Sequence, residues 1–261
     1  MFMTRFIVYA LFLCLVSPSW AETADPAAKG LKIAKDADTK NSGFKSETSE
    51  MKMVLINAHG DKTQRKMSSK ILEGQDDGDK SIITFLWPAD VKDTRMLTWT
   101  HKTSNDDQWL YLPSLKRVKR ISSRNKSGSF MGSEFAYEDI GSQEIEKYMY
   151  RYLRDESVGA RQTQVIERIP VDKRSGYSKQ VVWMDTTYNQ AVKIDFYDRK
   201  SELLKTFTFS GFNQHGGYWR ADKIEASNHQ TRKKSVLEWS GRVLGQSVEA
   251  DDFSKDSLQD L

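Results

Sequence analysis

The four histidines, His59, His101, His215 and His229, are scattered singly along the chain in turn-like contexts. His215-Gly216-Gly217 reads as a hairpin turn rather than a ligand group. The sequence holds no HExxH pair to grip zinc, no GxSxG nucleophile elbow and no phosphate-binding glycine-lysine loop. The acidic residues Asp106, Asp107, Glu134, Glu138 and Asp139 lack the fixed oxygen spacing of a calcium loop. Asp106-Asp107 reads as a turn, and Glu138-Asp139 as salt-bridge partners for nearby arginines. The one cysteine, Cys14, sits in an apolar N-terminal run, so the rest of the chain has no disulfide and no thiolate chemistry. No metal, no cofactor and no covalent catalysis is expected.

Two groups of side chains suit non-covalent binding instead. The first is apolar: Trp87, Leu97, Trp99, Trp109, Tyr111, Phe130, Met131, Phe135, Tyr137 and Trp183. Such residues can line a groove for acyl chains, which need area and no hydrogen bonds, at about 0.8 kcal/mol per buried methylene. Their ordinary role is sheet core. The second group is the basic run Lys116, Arg117, Lys119 and Arg120, followed by Arg124 and Lys126. The planar guanidinium groups of Arg117, Arg120 and Arg124 fit an anionic head group or an acidic partner surface. The ordinary role here is a charged strand edge that resists aggregation. Arg117 and Lys119 flank Val118, so the charges do not share one flat face.

Both groups converge on residues 106–139. Trp109 to Leu112 reads as a strand, Pro113-Ser114 as a turn and Lys116 to Ile121 as the returning strand. Ser122 to Ser129 is too polar to pack and reads as a loop that can move. Phe130, Phe135 and Tyr137 then re-enter apolar surroundings past a bend at Gly132.

One helix precedes all this. Asp25-Pro26 is a cap followed by a first-turn proline, and Ala27, Leu31 and Ala34 recur at helical spacing, which predicts a helix over 26–38. Almost everything afterwards reads as strand: 44–58, 63–73, 81–87, 94–100, the central pair, then 148–154, 161–169, 178–185, 191–197, 203–211, 219–227 and 234–240. Residues 250–261 read as a short helix. The gaps are short and rich in turn residues, so the strands form an antiparallel meander. Runs such as Ile82 to Trp87 and Val181 to Met184 are apolar on both faces. A curved sheet around an apolar cavity satisfies them, and so does a sandwich with a filled core.

The 261 residues carry 40 Lys and Arg against 36 Asp and Glu. This balance is too even for a general nucleic-acid binder, and no nucleic acid is expected as partner. Arg5, the apolar run Phe6 to Val16 and Ser19-Trp20-Ala21 form a cleavable export signal over residues 1–21. Phe12 and Leu13 precede Cys14 where a lipidation signal places small residues. Residues 22–261 are expected to form a single, soluble, monomeric domain in a Gram-negative periplasm.

The run DDQWLYLPSLKRVKRI followed by SFMGSEFAYEDI resembles the signature of the outer-membrane lipoprotein-sorting protein family. These proteins are periplasmic relatives of the carrier LolA, often encoded beside RND-type (MMPL-like) exporters. QVVWMDTTYNQAVKIDFYDRKSELLKTF and WRADKIEASNHQTRKKSVLEWS resemble the family's later strands. The resemblance implies a mainly β fold: a half-open, LolA/LolB-like barrel of about 11 antiparallel strands covered by helices, with acyl chains in its concave face. It implies no catalytic residues. The expected partners are the acyl chains of a lipoprotein or lipid and an inner-membrane RND/MMPL-type transporter. An accessory subunit of that transporter without lipid cargo is the alternative.

Overall fold

The computed structural model describes residues 25–259. The expected export signal, with Cys14, lies outside the described residues. Helix α1 spans Pro26–Asn41 and opens as its sequence dictates. Asp25 Oδ1 accepts from the Ala27 amide at 3.0 Å, and Pro26 takes the first turn. The helix runs past residue 38 because Asn41 Nδ2 donates back to the Ala37 carbonyl at 2.7 Å and across to the Asn189 carbonyl at 3.0 Å.

Thirteen strands follow. They are β1 (Ser46–Ile56), β2 (Lys62–Leu72), β3 (Lys80–Trp87), β4 (Arg95–Trp99), β5 (Asp107–Leu112) and β6 (Arg117–Ile121), then β7 (Tyr148–Val158), β8 (Arg161–Pro170), β9 (Tyr177–Asp185), β10 (Ala191–Asp198), β11 (Leu203–His215), β12 (Tyr218–Asn228) and β13 (Lys234–Leu244). Every extended run in the sequence pairs, so the sheet has thirteen strands rather than about eleven. The expected C-terminal helix is instead two 3₁₀ turns, Ala250–Phe253 and Asp256–Leu258, separated by extended backbone at Ser254.

All pairings are antiparallel, and the order is β6-β5-β4-β3-β2-β1-β13-β12-β11-β10-β9-β8-β7. Two meanders are thus joined by the β1–β13 pair. The edge strands β6 and β7 are consecutive in the chain and lie at opposite ends of the sheet. Laid flat, thirteen strands would span roughly 60 Å. Yet one apolar cluster holds Met96 and Leu110 from the β6 half together with Ile166 and Val182 from the β7 half. The sheet therefore curls into an open half-barrel, and residues 122–147 cross from one edge to the other.

Alternation of side chains decides which faces meet. Ile83, Met96 and Leu110 share a register row and point into the concave face with Met51, Met53, Met67 and Phe85. Ile82, Leu97 and Trp109, one residue out of step, point to the convex face. There the C-terminal turns cover them: Phe253 and Leu258 are buried, and Trp99 Nε1 donates to the Phe253 carbonyl at 2.8 Å. A second convex cluster around Val165, Val181, Trp183 and Val192 is roofed by basic side chains, with Lys193 Nζ 4.0 Å from the Trp183 ring centre. Strands apolar on both faces are thus satisfied without a second sheet.

α1 closes one side of the bowl, burying Ile33 against the concave cluster. Gly30 makes the approach possible. A Cβ there would stand 2.7 Å from Arg151 C and Tyr152 N, so only glycine lets the helix lie on the β7 backbone.

Candidate functional site

The concave face is partly filled by the segment that crosses it. Residues 130–140 fold inward through a tight reversal, with Met131 and Gly132 both left-handed at φ 50° and 77°. The Phe130 ring packs 5.9 Å from Phe85 on β3, and Phe135 packs 5.0 Å from Phe207 on β11. The plug therefore grips both halves of the sheet.

Polar bonds fasten it. Lys205 on β11 is buried and donates to Asp139 Oδ2 at 2.6 Å and to the Glu134 carbonyl at 2.9 Å. Asp139 also accepts from the Tyr177 hydroxyl at 2.8 Å and the Ala136 amide at 2.7 Å. Glu138 accepts from the Ser175 hydroxyl and the Gly176 amide, each at 2.8 Å, while burial raises its pKa. The Glu134 amide donates to Ser235 Oγ at 3.0 Å. On the other half, Gln108 Nε2 donates to the Tyr137 carbonyl at 2.8 Å, and Arg65 to the Met131 carbonyl. Each bond to a charged group is worth roughly 1.5–3 kcal/mol, so the plug is latched but not fused to the sheet.

Beneath it lies an apolar hollow of about 230 Å³. Met51, Ile83, Phe135, Ile194, Phe196, Phe207, Phe209, Ile224, Leu237 and Trp239 line it, with Ser69, Ser81, Asp139, Gln143 and Arg168 as polar members. A second cavity of about 170 Å³ lies toward α1, lined by Ala34, Ala37, Asp38, Tyr150, Ile166, Val182 and Met184, and it shares Gln143 and Arg168 with the first. An engineered apolar cavity of 150 Å³ takes one benzene, whereas drug-sized ligands need 300 Å³ or more. The hollow as it stands takes a short run of methylenes. A complete lipid tail requires the plug to withdraw.

The sequence-derived binding residues divide by face. Phe135 lines the hollow, and Phe130, Met131 and Tyr137 belong to the plug. Leu97, Trp99, Trp109 and Tyr111 sit on the convex face under the C-terminal turns, and Trp183 lies in the other convex cluster. Trp87 ends β3 and is 51% exposed. Five of the six miss the hollow because a strand sends alternate residues outward, and Trp87 misses it because it lies at the exposed end of β3. Apart from Phe135, the residues that line it are not in the sequence-derived group. Their signal is present in the phase of each strand: Phe207 and Phe209, Leu237 and Trp239, or Ile194 and Phe196, two apart and apolar. Met51 joins them, and its flexible thioether suits a surface that must accept varied chains.

The basic residues lie elsewhere. Arg120 and Arg124 come together with Lys119 around an open surface cleft beside Tyr137, and Arg120 pairs with Asp107. Arg117 stands apart from that cleft on the β6 edge, exposed. The Ser122 to Ser129 loop is pinned by Lys126, whose Nζ lies 2.8 Å from Asp172 Oδ2. The inward-folding part of the crossing is the next stretch, 130–140.

No curated protein matches the chain. A family model described only as an uncharacterized protein matches residues 77–260. Among solved structures, an outer membrane lipoprotein-sorting protein domain from Vibrio parahaemolyticus is 48% identical, with a TM-score of 0.88 over 89% of this chain and 99% of that one. A DUF1329 family protein from Desulfovibrio piger is 29% identical, with a TM-score of 0.86 over 90% and 100%. A LolA superfamily protein from Nitrosomonas europaea shares the fold at 22% identity, with a TM-score of 0.70 over 87% and 98%. The overall fold and nearly half of the aligned residues are common to this chain and the Vibrio domain, and the chain belongs to the outer membrane lipoprotein-sorting protein family.

Proposed function

We propose that this protein is a periplasmic carrier. It takes the acyl chains of a lipoprotein or lipid into the concave hollow and hands them on between an inner-membrane RND-type exporter and the outer membrane. The observation that carries this reading is the apolar hollow closed by a plug held through hydrogen bonds and one buried ion pair. A purely structural core has no need of a detachable filling. Phe130, Met131, Phe135 and Tyr137 cover the hollow when it is empty and flank the chains when it is full, and the Ser122 to Ser129 loop swings with them once the Lys126–Asp172 ion pair opens. Family membership and the export signal of residues 1–21 support the location. Binding is non-covalent, and the protein does no chemistry on its cargo.

Handing on requires a docking surface. Leu86 and Trp87 at the end of β3 and Leu115 in the β5–β6 turn are 45%, 51% and 62% exposed. β3 and β5 run in the same direction, so these residues share one end of the sheet, beside Arg117 on the β6 edge. Arg117, Arg120 and Arg124 are assigned to the exporter contact. This exposed end also favours the second reading, an accessory subunit that docks without cargo.

Native mass spectrometry of the protein purified from its own periplasm separates the two. The carrier reading expects masses raised by a lipid or acylated peptide. A bare chain that also fails to take up lipid after delipidation would falsify it and leave the docking role.

A further inference from the structure

Arg168 on β8 lines both the main hollow and the cavity toward α1. Its Nε donates to Gln180 Oε1 at 2.6 Å, and its guanidinium carbon stacks 4.7 Å from the Tyr148 ring centre. Both partners are uncharged. Gln180, 1% exposed, fixes the plane of the fork. The four N–H groups on Nη1 and Nη2 have no hydrogen-bond partner among the described residues, and no carboxylate there pairs with Arg168. The other charged group of the main hollow, Asp139, is already bound by Lys205, Tyr177 and Ala136. Asp38, in the second cavity, makes no ion pair with Arg168.

An uncompensated guanidinium beside an apolar hollow is costly unless something anionic arrives. The fork is oriented by a buried amide, stacked on a ring and left with open donors, which is the preorganised state for bidentate recognition of a carboxylate or phosphate. We propose that Arg168 is the head-group receptor of the carrier, and that the preferred cargo is an amphiphile with an anionic group next to its acyl chain. Resting on the carrier reading, this assigns the head group to the interior of the half-barrel rather than to the arginines of the β6 edge. Gln143, exposed at the mouth of both cavities and held by the Tyr148 hydroxyl at 2.6 Å, marks where such a molecule enters.

The test is titration calorimetry with four twelve-carbon amphiphiles below their micelle concentrations: dodecanoate, dodecyl phosphate, dodecyl maltoside and dodecyltrimethylammonium. The anions are expected to bind about tenfold or more tighter than the maltoside, the range for a charge-assisted hydrogen bond in a partly dry site. The tighter of the two anions tells whether a carboxylate or a phosphate is the natural head. Arg168→Gln keeps the Gln180 contact within reach and should erase the anion preference, with maltoside binding within about twofold of wild type. Arg168→Lys should restore part of the preference, and circular dichroism checks that both variants fold. Equal binding of all four heads, or an anion preference that survives Arg168→Gln, overturns the assignment while the carrier reading stands. If no amphiphile binds, both fail.

Discussion

Lys205 and Asp139 form a buried ion pair, each side chain 4% exposed, at the joint between plug and sheet. Removing one partner of such a pair strands the other charge and costs about 3–5 kcal/mol. Lys205→Met and Asp139→Asn should each destabilise by that order, and the double variant by clearly less than the two together. Urea unfolding of the four-member cycle measures this; strict additivity would show that the two groups do not depend on each other. Asp79, behind the β2–β3 turn, is a different case. Burial raises its pKa to about 6, against an ordinary 3.8, although the Gly74 amide donates to it at 3.0 Å. A raised carboxyl favours the fold while protonated, and that support fades as pH climbs from about 4 through 6. The raised His101, hydrogen-bonded to Asp77, acts in the same sense near and above pH 6.5. Asp77 and Asp172, lowered to about 2, act only in stronger acid. The protein should therefore melt higher at pH 5 than at pH 7.5. Asp79→Asn should raise the pH 7.5 midpoint, at about 2–4 °C per kcal/mol, and narrow the gap. An unchanged midpoint at pH 7.5 would refute this role. The sequence marks Glu138 and Asp139 as ion-pair partners for the nearby arginines, but Asp139 pairs with Lys205, 66 positions away, and Glu138 with Ser175 and Gly176, which no local pattern reveals.

At the scale of elements the sequence was more open. The Asp25-Pro26 cap, the turn residues and the strand runs each followed from local chemistry. The plug did not, because Ser129 to Ile140 has neither helical nor strand periodicity, and its fold is set by the two sheet halves it bridges. Its inward packing is nonetheless hinted at by Phe130, Phe135 and Tyr137, whose rings have no place in a free loop. The proposed movement of the plug can be blocked. The Glu134 amide reaches Ser235 Oγ at 3.0 Å, so plug and sheet touch here, and Glu134→Cys with Ser235→Cys is the pair to oxidise. Cys14 is the only native cysteine, so with Cys14→Ser the pair forms without a competitor. Oxidised protein should lose most of its lipid uptake, and reduction should restore it. Equal uptake in both states would mean that the plug need not move.

At the scale of the whole molecule, one topological fact governs the rest. The edge strands are neighbours in sequence, so the chain must traverse the mouth of the half-barrel to connect them. The crossing leaves one hollow with a single tryptophan, Trp239, in its wall, whereas Trp99, Trp109 and Trp183 face the convex side and Trp87 is exposed. That asymmetry offers a direct measurement: quenching of tryptophan emission by brominated dodecyl maltoside, in wild type and in Trp239→Phe. Acyl chains seated in the hollow should quench the wild type with saturation, and the Trp239→Phe variant should lose that saturable component while still binding by calorimetry. Saturable quenching that persists undiminished without Trp239 would place the chains on another surface and contradict the account.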